Sequence, residues 1–94
     1  MPKYIVERQF DVKHEGMPQV WSSSRRIIVE EHPEITWHLS HVALDDSGGV
    51  KTYCIYEAPD EQAIRIHAEK LGAHNIVAVA ELAGDVTPAD FPLS

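Results

Sequence analysis

The chain has 94 residues and a mass of 10.5 kDa, room for one domain with one hydrophobic core. Hydrophobic residues make up 44% and charged residues 24%, which excludes a disordered, collagen-like or coiled-coil chain. Eight Lys and Arg against 15 Asp and Glu give a formal charge of −7, so neither nucleic acid nor an anionic membrane surface is an expected partner.

In chain order, residues 3–11 are rich in β-branched and aromatic types and predict a strand, which exits through the polar stretch His14-Glu15-Gly16-Met17-Pro18. From Pro18 to about Glu31 the apolar residues Val20, Trp21, Ile27 and Ile28 fall near helical spacing. Pro18 suits a first helical turn and Pro33 forbids continuation, so a helix is expected between them. Ile35 to Leu44 and Val50 to Glu57 are two β-prone runs, and the turn formers Asp45-Asp46-Ser47-Gly48-Gly49 join them as a hairpin. A second helix is predicted from Ala58-Pro59-Asp60-Glu61, with Ile64, Ala68 and Leu71 on one stripe and Gly72 just past its end. Asn75 to Leu82 predicts a last strand, and residues 83–94 an extended, Pro-containing tail.

The resulting order, β-α-β-β-α-β, is that of a single α+β ferredoxin-like domain over residues 1–94, with both helices on one face of an antiparallel sheet. The other face is then bare, and an apolar bare face is one that a second copy can bury, so a homodimer is expected. No run approaches the ~20 apolar residues of a membrane helix. The start of the chain lacks the apolar segment of a signal peptide. The single cysteine, Cys54, can form no disulfide within the chain, so a reducing, cytoplasmic setting is expected.

Strand parity assigns residues to faces. On the last strand Ile76, Ala78, Ala80 and Leu82 share the side expected beneath the helices, and Val77, Val79 and Glu81 share the other. By the same rule Glu7, Tyr53, Glu57 and Glu81 collect on the helix-free face, where three carboxylates and a phenol would lie near a dimer cavity. Such acids either pair with Arg8, Lys51 or Arg65, or repel one another until a divalent cation relieves them. His41 is either a half-buried histidine or a ligand on that face. His38, three residues away, points to the opposite face unless the strand bulges, and is expected to meet solvent. His67 borders the apolar stripe of the second helix, placed to pack on the sheet or to reach a tail or partner. Cys54 falls on the helix side, where a buried thiol is expected.

The tracts Tyr4-Ile5-Val6-Glu7-Arg8, Trp37-His38-Leu39-Ser40-His41-Val42, Lys51 to Pro59 and Ala63 to Ala68 resemble the small nickel-binding, nickel-responsive actinobacterial proteins within a larger family of unknown function. The tail from Ala83 to Pro92 is similar to that of some members. The resemblance implies a dimeric ferredoxin-like α+β barrel that binds nickel without an established reaction. It points to nickel sequestration or response, with His41 and His67 as ligands assisted by Glu57 and then Glu7 or Glu81. Imidazole, carboxylate and water are a donor set suited to an octahedral first-row divalent ion. The alternative is a small cavity enzyme of the dimeric α+β barrel type, a monooxygenase or isomerase using His41, Tyr53 and the acids as proton relay.

Overall fold

A computed structural model describes residues 1–93. The strands are β1 (Lys3–Phe10), β2 (Thr36–Leu44), β3 (Val50–Glu57) and β4 (His74–Glu81), and the helices are α1 (Met17–Glu31) and α2 (Glu61–Leu71). The β-α-β-β-α-β order of the sequence reading is therefore present. Two short 3-10 turns, His14–Gly16 and Pro88–Asp90, lie outside it.

Local chemistry sets each boundary. Helix α1 carries a proline in its first turn, and its carboxyl end closes at His32, whose N–H donates to Ile28 O at 3.0 Å before Pro33 bars another turn. Asp60 caps α2: its Oδ1 accepts the Ala63 N–H at 2.9 Å, and Gly72, at φ 68°, ends the helix in a conformation that favours glycine. The β2–β3 hairpin is held by Asp45, whose Oδ1 accepts from the Ser47 N–H, the Ser47 hydroxyl and the Gly49 N–H. Gly48 takes φ 84° in the same turn.

The sheet order is β2-β3-β1-β4, with every neighbouring pair antiparallel. One face is covered by both helices. There Tyr4, Val6, Cys54 and Tyr56 pack with Ile28 and Ile64, while Phe10 and Val50 pack with Met17. Cys54 is buried on this side, where its parity placed it. Among the described residues no helix covers the opposite face, which carries Ile5, Glu7, Tyr53, Ile55 and Glu57.

The expected α+β barrel is corrected by this topology. The sheet runs from β2 to β4 and stops, with no pairing between those two edges, so it is an open four-stranded layer. Element order specifies the split β-α-β unit but not closure, which requires matched strand number, tilt and stagger.

Two bulges alter the faces that parity assigned. Opposite the Glu7/Arg8 step, Ala78 pairs with Glu7 and Ile76 with Arg8, leaving Val77 unmatched. A single extra residue reverses the phase of all that follows. Val79 therefore joins Ile76 against the core, Ala78 and Ala80 move to the open face, and Glu81 comes opposite Tyr4 on the helix side. The expected convergence of Glu81 with Glu7, Tyr53 and Glu57 is thereby overturned. The second bulge lies between Trp37 and Leu39.

Candidate functional site

The second bulge builds the site. Trp37 pairs with Tyr56 on the helix side and Leu39 with Ile55 on the open side, so His38 is the extra residue between them. Its imidazole comes to the open face, with Nε2 3.5 Å from Glu57 Oε1 and both side chains about one-third exposed (35% and 30%). His41, opposite Tyr53, shares that face. His38, His41, Glu57, Leu39 and Ile55 form one wall of a groove of about 700 Å³. Its other wall comes from the chain start at Met1–Lys3 and from the segment after β4, Leu82–Asp85. The hydrogen bond from the Leu82 N–H to Lys3 O, 2.8 Å, ties those two segments together.

The remaining residues of the expected ligand set lie elsewhere. Glu7 is on the open face but is engaged by Lys51, whose Nζ is 3.0 Å from Glu7 Oε2, a contact that raises the Lys51 pKa. Glu7 faces Tyr53, four residues along β3 from Glu57, a separation of about 13 Å at strand rise. Glu81 lies opposite Tyr4, where burial and then the Glu81 charge raise the phenol's pKa.

His67 is on α2, buried beneath the helix layer, with Nε2 3.1 Å from Ser24 Oγ. Desolvation, followed by the nearby Arg8 charge, lowers its pKa to about 4. The sheet separates it from His41. Among the described residues no three His, Cys, Asp or Glu side chains are arranged to hold a metal ion. What the open face of one chain presents is a closely set imidazole–carboxylate pair, His38 and Glu57, with a second imidazole on the same groove.

His38, like Glu81, lies on the face opposite to the one that strand parity assigned. The odd spacing to His41 demands a bulge before both can share a face, and Trp37-His38-Leu39 contains no glycine or other residue that signals one.

A family model described as "Nickel responsive protein SCO4226-like" matches residues 4–81, a span that runs from β1 through β4 and takes in both helices and both bulges. Comparison with curated proteins and with solved structures gives no significant match.

Proposed function

This chain belongs to the SCO4226-like family of nickel-responsive proteins, and from that premise we propose that its open sheet face binds a nickel ion through His38, His41 and Glu57. The observation that carries the reading is the bulge at His38, which sets an imidazole beside Glu57 and on the same groove as His41. Two imidazoles and a carboxylate are donors suited to nickel, and an octahedral ion would take further ligands from water or from another chain. One chain holds these groups without closing them into a cluster. A homodimer meets that need: the open face exposes Leu39 (47%) between the two histidines, and a second copy laid on it covers apolar surface and brings further donors. The role is metal sequestration or response, with no bond made or broken in a substrate.

Neutral imidazole is the ligating form, so acid competes with nickel, and binding weakens as pH falls. Calorimetric titration of chelator-stripped protein, with elemental analysis of the product, tests the assignment. His41→Ala and Glu57→Gln should each lower nickel stoichiometry or affinity at least tenfold, whereas His14→Ala, on the exposed 3-10 turn, should leave both unchanged. A triple variant His38→Ala, His41→Ala, Glu57→Gln that binds nickel as the parent does would refute it.

A further inference from the structure

The segment after β4 leaves the sheet at the end where His38 and Glu57 lie. Lys3 and Thr36 both pair with Glu57, so the start of β1, the start of β2 and the end of β3 share that end, and β4 finishes there with Glu81 opposite Tyr4. The Leu82 N–H donates to Lys3 O at 2.8 Å, which carries the β4 pairing one residue further and, by alternation, brings Leu82 to the open side. Beyond it Asp85 lines the same groove as His38, His41 and Glu57.

Backbone reach agrees with that placement. Glu57 lies on β3, two strands from β4, a distance of about 10 Å at the usual strand spacing, and an extended chain covers about as much between Leu82 and Asp85. The step before Asp85 is free to turn, because a Cβ built on Gly84 would meet nothing within 4 Å and glycine has the widest backbone range. Asp85 is exposed, and among the described residues no ion pair engages its carboxylate. Glu7, by contrast, is held by Lys51, and Glu81 is turned to the helix side. On the groove wall formed by Met1–Lys3 and Leu82–Asp85, Lys3 is the positive side chain and Asp85 the negative one. A divalent cation entering the groove is repelled by the first and attracted by the second.

We propose that Asp85 is a further nickel ligand, supplied to the His38–His41–Glu57 site by the segment after β4. The inference rests on the nickel reading of the open face and deepens it. Asp85 lies beyond residue 81, where the family match ends, so the match itself does not assign it. Two imidazoles and two carboxylates, each binding through one atom, balance the charge of a divalent ion and leave two positions of an octahedron for water or a second copy. Glycine at position 84 lets the carboxylate settle on the ion without moving the sheet.

Calorimetric titration of the chelator-stripped full chain with nickel tests the assignment. Asp85→Asn keeps the shape of an exposed side chain and removes its charge, and it should lower affinity about tenfold with stoichiometry unchanged. Asp46→Asn, in the β2–β3 turn at the other end of the sheet, should bind as the parent does. The ratio of parent to Asp85→Asn affinity should persist in about 0.5 M sodium chloride, where the Debye length falls to about 4 Å and the field of an exposed charge is screened. A ratio that collapses towards one in that salt overturns the ligand role, since the carboxylate then acts at a distance. Asp85→Asn binding as tightly as the parent, while His41→Ala is weakened, overturns this inference and leaves the nickel reading of the open face standing. If the triple variant His38→Ala, His41→Ala, Glu57→Gln binds as the parent does, both are overturned.

Discussion

The two faces of one four-stranded sheet have been given opposite tasks. The face under α1 and α2 is built from residues with almost no exposure, Val6, Val50, Thr52 and Ile64 among them, and it holds the fold together. The face turned away from the helices carries half-buried and exposed residues at alternating positions, including His38, His41 and Glu57, and leaves them free for a ligand. Substitution on the first face should therefore cost stability, and on the second it should cost metal.

The largest effect is expected in the core. Ile64→Ala removes three carbons at a site packed between α2 and the sheet and should lower stability by about 3 kcal/mol in urea unfolding. A loss below about 1 kcal/mol would show that the helix layer matters less than its burial implies. A similar magnitude is expected from acid. The folded-state pKa of His67, about 4, lies below the ordinary value of 6.5, so protonation favours the unfolded chain. Its stabilising contribution is complete above pH 6.5 and is lost as pH falls towards 4, by about 3 kcal/mol in all. The groups facing it, Arg8, His32 and His74, all carry or can acquire positive charge and act in the same direction. Urea unfolding of the parent at pH 7 and pH 4 measures the total, and His67→Gln should flatten the profile.

Smaller effects sharpen the contrast. Asp60→Ala deletes the cap of α2 and should cost about 1 kcal/mol. On the open face His41→Ala should change the stability of metal-free protein by less than about 0.5 kcal/mol, because its side chain is exposed. The same substitution should lower nickel binding, which separates the two tasks in a single variant.

Where strands are unbroken the sequence was a sufficient guide. On β3 the alternation from Val50 to Glu57 carries through without a slip, so the burial of Cys54 and the half-exposure of Tyr53 and Glu57 follow from counting by twos. The hairpin and both helices were equally legible, because Gly48, Pro18, Asp60 and Gly72 act through local backbone chemistry. Counting by twos failed at His38 and Val77, each the extra residue of a bulge. A bulge is set by how two strands meet, so neither strand displays it alone. One bulge carried Glu81 out of the expected acidic cluster and the other brought His38 into the groove. The burial of Arg8 was hidden for a related reason. As a charged residue beside Glu7 it suggests a surface ion pair, yet Lys51 takes Glu7 and parity turns Arg8 inward.

The division of labour is tested most directly by where nickel acts on the folded protein. Nickel(II) in an octahedral site is paramagnetic and broadens nearby amide resonances, so titrating isotope-labelled, chelator-stripped protein maps the ion onto the chain. The account predicts that the first signals lost belong to His38 to His41 and Ile55 to Glu57, while those of α1 and α2 persist at stoichiometric nickel. Broadening that begins on α2 around His67, or on the turn at His14, with the signals of His38, His41 and Glu57 intact, would contradict it.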